Sequence, residues 1–346
     1  MPLVSVIVPN YNHAPYLTKR LDSIINQTFD DFELILLDDA STDNSLDLLK
    51  ACKDERARLF PNRINSGSPF AQWNKGVELA SGKYIWIAES DDIADEHFLE
   101  KLVPLLESDD QMVLAFSQSM LIDSNGNHLH SFAENYRFLY NTNRWEKDFI
   151  ADGTQECVQY LIKNNTIPNA SAVLMRRDAY LNAGGAPTHF KLNGDWLLYA
   201  RVLVQGKFGF KADVLNYFRT HDNTQRHKAR RAVHAYPEML AIQSFIEQQT
   251  PVSHDEVVQA KKQVAEWWIG GIAHQHWFRN GFWRENAKLY RAFSNLYTAL
   301  WLRITWHIVY ATGWYVLYIT GLLNLGKRIR NALFPGKYFS PNIQKK

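Results

Sequence analysis

Apolar residues follow two rhythms in the first hundred positions. Continuous runs at 3–9, 33–37 and 83–88 read as buried strands, and a shorter strand falls near 58–61. Between them the spacing turns helical. Leu17, Leu21, Ile24 and Ile25 share one face over 14–27, and Leu46, Leu48 and Leu49 follow the capping groups of Asp39–Asp43. Further helices are predicted at about 69–80 and 95–107. Strand–helix alternation of this kind predicts a mainly parallel sheet flanked by helices, an α/β fold of Rossmann-like character.

From 111 to 220 the pattern loosens. Strands are expected at 112–117, 170–175, 208–211 and 214–219, with helices near 155–163 and 195–205. This stretch is expected to extend the sheet and to build an acceptor pocket. Residues 232–249, 255–279 and 284–300 read as helices. The expected organisation is an α/β half over 1–110, a second half of the same domain over 111–230, a helical extension over 231–300 and an aromatic tail over 301–346.

Residues 304–325 contain no Asp, Glu, Lys or Arg and are long enough to cross a bilayer as a helix. Arg303 precedes them, and Lys327, Arg328 and Arg330 follow. Their Trp and Tyr content and scattered threonines suit a helix lying in the membrane interface equally well. A helix packed on the globular domain is the remaining alternative. Membrane association is expected, at the inner face of the cell membrane.

A net charge of +2 gives no global case for nucleic acid. Cys52 and Cys157 lie far apart, without Cys/His metal spacing, so a disulfide framework or zinc site is not expected. A reducing, cytoplasmic setting follows. The chemistry concentrates instead in two acidic clusters, Asp38-Asp39 and Glu89-Ser90-Asp91-Asp92, each closing a predicted strand. Carboxylates at the C-terminal ends of parallel strands face the crevice where open α/β sheets bind ligands. Crowded in this way they repel unless a divalent cation or hydroxyl groups compensate.

An ordered series of motifs accompanies these clusters: Val4–Asn12, Ser23-Ile24-Ile25-Asn26-Gln27-Thr28, Asp38–Asp43, Asn74-Lys75-Gly76, Ala80–Tyr84 and Glu89–Asp92. In this order and spacing the series resembles the family 2 glycosyltransferases, which have a GT-A fold. A looser likeness runs through Asn193-Gly194-Asp195-Trp196 and Tyr217–His221, covering about 220 residues in all. The resemblance implies inverting transfer of a sugar from a nucleotide diphosphate, assisted by Mg²⁺ or Mn²⁺.

The resemblance also implies residue roles. Pro9, Tyr11 and Asn12 wall the nucleotide base, and Asp39 accepts a hydrogen bond from its imide N–H, favouring UDP- or dTDP-sugars. Asp38 orients the loop. Asn74 and Lys75 lie on the donor side, with Lys75 or Arg63 near the diphosphate and a solvated lysine as the alternative. Glu89 stands where the family usually has aspartate, leaving its contact with the ribose open. Asp91, then Asp92, are the expected metal ligands. Asp195 is the expected general base, with an ordinary helix cap as its alternative. Trp196 floors the acceptor or lies in the core. His221 adds a metal or diphosphate contact, and Arg219 assists with phosphate. The basic run His227–Arg231 covers the donor or is merely solvated.

The expected activity is therefore a non-processive inverting glycosyltransferase, since no Gln-x-x-Arg-Trp motif of processive synthases occurs. Its expected partners are a nucleotide-sugar and a glycan or polyprenyl-linked acceptor of bacterial envelope polysaccharide or lipopolysaccharide assembly. A catalytically silent nucleotide-sugar-binding scaffold and a sugar-phosphate nucleotidyltransferase are the alternatives. The latter normally carries a Gly-rich basic loop after its first strand, where this chain has Pro9–His13.

Overall fold

The computed structural model describes residues 1–220, 235–272 and 281–319. His221, the run His227–Arg231 and residues 320–325 lie outside the described residues.

Among the described residues ten strands, numbered in chain order, form one sheet in the order β3-β2-β1-β4-β9-β6-β10-β5, with β7 beside β6 and β8 beside β10. The first four, β1 (Val4–Asn10), β2 (Phe32–Asp38), β3 (Ala57–Pro61) and β4 (Tyr84–Ile87), are parallel as predicted. Side chains alternate between two cores, as the period of a strand requires. Ile7, Ile35, Leu37, Ile85 and Ile87 face one core. Val4, Val6, Val8, Leu34, Leu36 and Trp86 face the other. Helices α1 (Ala14–Ile25) and α4 (Phe98–Glu107) cover the second core. Helix α3 (Pro69–Leu79) covers the first, through Phe70, Trp73 and Val77.

Beyond β4 the sheet becomes mixed. β9 (Val173–Arg176) lies antiparallel between β4 and β6 (Met112–Ile122), whereas β10 (Lys207–Arg219) runs parallel to β6. The expected strands 208–211 and 214–219 are one strand, with register shifts between Lys211 and Asn216. Short pieces not foreseen from the sequence complete the sheet: β5 (Ile93–Ala94), β7 (His128–Ser131) and β8 (Phe149–Asp152). Helices α5 (Phe132–Tyr140), α6 (Gly153–Glu156) and α7 (Arg177–Asn182) follow β7, β8 and β9 in the chain, and α8 (Gly194–Leu203) packs into the first core.

The C-terminal helices are α9 (Ala235–Gln249), α10 (His254–Ile272), α11 (Phe282–Ser294) and α12 (Leu300–Ile319). Ile242 and Ile246 of α9, with Val257 and Ala260 of α10, belong to the core of the sheet. The far half of α10 joins α11 and α12 in a separate cluster around Trp268 and Phe293. Among the described residues no helix is long and apolar enough to cross a membrane.

Candidate active site

Strand order reverses at β1, which lies between β2 and β4, so the C-terminal ends of these strands border a crevice. Asn10 at the end of β1 pairs in register with Asp38 at the end of β2. Its Nδ2 donates to Asp38 Oδ1 at 3.0 Å, and Asp38 also accepts from the Ser41 amide and hydroxyl. Asp38 thus shapes the loop, as expected. Asn12 adopts a left-handed φ of 58° and its Oδ1 caps the Thr42 and Asp43 amides, locking the two loops together. Pro9 is buried within β1, while Tyr11 stands exposed at the rim.

Asp39 is only 4 % exposed, and its carboxylate is surrounded by donors. Oδ1 accepts from Asn62 Nδ2 (2.6 Å) and Gln72 Nε2 (2.8 Å), and Oδ2 from Ser66 Oγ (2.7 Å). The Ser66 amide reaches both oxygens. Two oxygens offer about four lone-pair positions, so an incoming N–H must take the place of one of these donors. Asn62 also accepts from Lys75 Nζ at 2.6 Å, linking that lysine to the Asp39 cluster. Arg63 is exposed nearby in the chain. Asn74 is turned elsewhere: its Oδ1 accepts from the Tyr180 hydroxyl and Ala186 amide, and its Nδ2 donates to the Ala186 carbonyl. The geometry gives Asn74 to the 180–186 turn.

After β4, Glu89 accepts from the Trp73 indole at 2.7 Å. Burial, then the charge of Asp91, pushes the Glu89 carboxyl up to about 8. Asp92 is 1 % exposed, and burial followed by Asp91 pushes it up to about 7. Its Oδ1 accepts from the Arg219 amide at 2.8 Å. The Arg219 guanidinium donates to the carbonyls of Asp91, Asp123 and Ser124, so this arginine holds the acidic loop instead of reaching outward for phosphate. Beneath the cluster, buried Arg20 stacks 5.0 Å over Trp86, and the charges of Asp92, Asp91 and Glu89 partly offset its desolvation. Asp91 is half-buried and closer to solvent than Asp92.

Asp195 opens the first turn of α8 and is half-buried, its Oδ1 accepting from the Trp196 amide. Asn165 Nδ2 lies 3.4 Å from its other oxygen. A chain of contacts joins it to the acidic cluster. A Cβ on neighbouring Gly194 would meet the Phe70 ring at 2.5 Å, Phe70 packs edge-on to Trp73 at 5.2 Å, and Trp73 binds Glu89. The buried Tyr199 phenol, raised by burial, feels the charges of both Asp195 and Glu89. Trp196 is core, its indole donating to the Leu161 carbonyl.

Against known proteins, residues 5–181 match the family described as glycosyl transferase family 2. The chain belongs to that family. A glycosyltransferase of Streptococcus pneumoniae, GlyG, is 37 % identical over 127 residues, which is 36 % of this chain and 42 % of that protein. The putative teichuronic acid biosynthesis glycosyltransferase TuaG of Bacillus subtilis is 34 % identical over 133 residues, 38 % of this chain and 52 % of that one. The chain thus spans about half the length of these curated relatives. Among solved structures, S. aureus TarS 1–349 in complex with UDP-GlcNAc superposes with a TM-score of 0.61 at 16 % identity, covering 99 % of this chain and 94 % of that one. The mannosyltransferase PcManGT of Pyrobaculum calidifontis, in complex with GDP-Man and Mn²⁺, gives 0.52 at 17 %, covering 90 % and 86 %. At these identities the likeness concerns the fold, and it extends through the C-terminal helices.

Among the described residues no three His, Cys, Asp or Glu side chains converge as a metal cage. Glu89 is bound to Trp73 and Asp92 Oδ1 to the Arg219 amide, but the buried Asp92 Oδ2 has no hydrogen-bond partner among the described residues; with the half-buried Asp91 beside it, these oxygen donors suit a hard divalent ion. Gln72, Asn62, Ser66 and Trp73 were not marked by the sequence reading. Gln72 lies one turn before Lys75 on α3, and Trp73 follows it.

Proposed function

We propose that the chain is a non-processive inverting glycosyltransferase that moves a sugar from a UDP- or dTDP-sugar to a hydroxyl of a glycan or lipid-linked acceptor. The observation that carries this reading is the Asp195–Gly194–Phe70–Trp73–Glu89 chain of contacts, which connects a helix-borne carboxylate to the acidic end of β4. Asp195 takes the proton of the acceptor hydroxyl, whose oxygen forms the new bond to the anomeric carbon. The bond from that carbon to the diphosphate oxygen breaks, and the nucleoside diphosphate departs with the electron pair. The α8 N-terminus favours the ionised carboxylate. Asp91 and Asp92 would hold Mg²⁺ or Mn²⁺, which when bound would supply charge neutralisation at the diphosphate. Asp39 reads the imide N–H of uracil or thymine, with Pro9, Tyr11 and Asn12 bordering the base.

Membrane contact fits α12, where Leu302, Trp306 and Val309 recur at helical spacing and are all exposed, beside exposed Trp301. We infer that this face rests on the membrane surface from the cytoplasmic side, bringing the site to a lipid-linked acceptor. Sedimentation with anionic vesicles, comparing the full chain with one ending near residue 300, tests it. Equal pelleting of both removes the inference.

The test of the activity is transfer or hydrolysis across UDP-, dTDP- and GDP-sugars, with and without Mn²⁺, for the natural chain and Asp195→Asn. The expected result is turnover with uridine or thymidine donors, falling by about 10²–10⁴-fold in the variant while UDP binding persists. Activity with GDP-sugars alone overturns the base assignment, and undiminished turnover in Asp195→Asn overturns the catalytic one.

A further inference from the structure

We propose that Glu238 is a positioning residue for Asp195, so that helix α9, outside the segment matched to the family, is a working part of the active site. The proposal rests on the reading of Asp195 as the base. Glu238 sits in the first turn of α9 and is 8 % exposed. Its Oε1 accepts from the Lys191 amide at 2.5 Å, and its Oε2 from the amides of Leu192 (3.1 Å) and Asn193 (2.8 Å). Three consecutive backbone N–H groups therefore converge on one carboxylate, the arrangement of an anion-binding nest. The Asn193 side chain joins them, donating to Glu238 Oε2 and to the Ala235 carbonyl.

The next two residues are Gly194 and Asp195. Gly194 is pressed against Phe70, which forbids a side chain there. The turn that delivers Asp195 is thus gripped from one side by α3 and from the other by a charge on α9. Neither grip touches the position of the reacting atoms; both fix where the Asp195 carboxylate stands. Catalytic groups need placing to within about 0.5 Å, and a misplacement of about 1 Å costs on the order of 10²-fold in rate.

A plain structural role, holding α9 to the domain, predicts something different. That docking has its own supports: Ile242 and Ile246 lie in the core, and Gln243 Nε2 donates to the Ile162 carbonyl at 3.1 Å. Removing Glu238 leaves those intact and releases the 191–193 amides.

The experiment uses the full chain and the variants Glu238→Ala and Glu238→Gln. It reads steady-state turnover of the best donor in the UDP- and dTDP-sugar panel, UDP binding by calorimetry, and amide hydrogen exchange over 188–196. In Glu238→Ala we expect kcat to fall about 10- to 100-fold, with donor KM and UDP affinity little changed and with faster exchange at 191–193. Glu238→Gln keeps one acceptor oxygen and should lie between. A natural kcat in Glu238→Ala, UDP affinity lost in step with kcat, or unchanged exchange at 191–193 each overturns the proposal. Should the natural chain turn over no sugar nucleotide, the transferase reading falls instead, and the exchange measurement still decides whether Glu238 holds the turn.

Discussion

The indole N–H of Trp73 donates to Glu89 at 2.7 Å, from the middle of α3 to the end of β4. It gives a half-buried carboxylate a neutral hydrogen-bond donor. The bond matters most when Glu89 is ionised, because hydrogen bonds to charged acceptors are the stronger ones. Trp73→Phe keeps an aromatic ring beside Phe70 but removes the indole donor together with part of the buried ring, a packing loss that does not vary with pH. We expect it to destabilise the metal-free protein by about 1–3 kcal/mol, and by more at pH 9 than at pH 6. Equal chemical-denaturation midpoints for the two proteins at pH 9 would sink this account of Glu89.

The acidic cluster also sets a pH dependence. Glu89 is pushed up to about 8 and Asp92 to about 7, in both cases by burial first and then by Asp91. Raised carboxyl values mean that the folded chain binds protons more tightly than the unfolded one. The contribution of these groups to stability is therefore present in full below their unfolded values, near 4. It is lost as pH rises from there through 7 and 8, at about 1.4 kcal/mol per unit of sustained shift. In EDTA, denaturation midpoints should fall between pH 5.5 and 8.5, and Glu89→Gln should flatten the slope. Mn²⁺ with UDP should stabilise more at pH 8.5 than at 6. A profile unchanged by Glu89→Gln would assign the slope to other groups.

How far the sequence foretold this molecule depends on which half is considered. Strands β1, β2 and β4 are largely buried on both faces, so they appear as nearly continuous apolar runs just before Asn10, Asp38 and Glu89, and their parallel order follows. β6 was expected over 112–117 but continues to Ile122 through Ser117, Gln118 and Ser119, polar residues that are all buried. Ser119 Oγ accepts from Asn169 and Asn216, a buried network built across 50 and 97 residues that no local pattern announces. The edge pieces β5, β7 and β8 are too short to show a period. Within the site, Asp39, Glu89 and Asp195 were legible as charged residues at element ends. The residues that hold them were not, because Gln72 and Glu238 are polar positions on helices that look like solvent-facing surface, while Trp73 looks like ordinary core. Asn74 was misread for the complementary reason: its motif marks a place on α3, while the side chain's direction is decided by Tyr180 and Ala186, more than a hundred residues away.

Asp39 organises the 62–68 loop and, in the proposed reaction, reads the base; one substitution tests both. Asp39→Asn keeps the shape but replaces an acceptor oxygen by a donor, facing the existing donors of Asn62, Ser66 and Gln72. UDP affinity should fall by about 10- to 100-fold, the size expected when a buried polar pair is mismatched by about 1–3 kcal/mol. The preference for uridine over guanosine diphosphate should narrow in the same titrations. Natural UDP affinity in Asp39→Asn would remove the base-reading role.

The approach of α3 to β1 fixes where Gln72, Trp73 and Lys75 stand, and it depends on Gly76. A Cβ there would lie 2.3 Å from Ile7 Cγ2, with two further Ile7 carbons at 3.3 Å. Ile7 is wholly buried in the centre of the sheet and cannot turn away. Gly76→Ala should therefore push α3 off the sheet, at a cost of about 1–3 kcal/mol, and weaken UDP binding by displacing the Asp39 partners. Ile7→Ala alone should cost about 2–5 kcal/mol through the cavity it leaves. In the double variant the added methyl enters that cavity, so the combined loss should be smaller than the sum of the two, a coupling that a double-mutant cycle reads directly. Strict additivity would mean that the clash relaxes elsewhere and that α3 does not owe its position to Gly76.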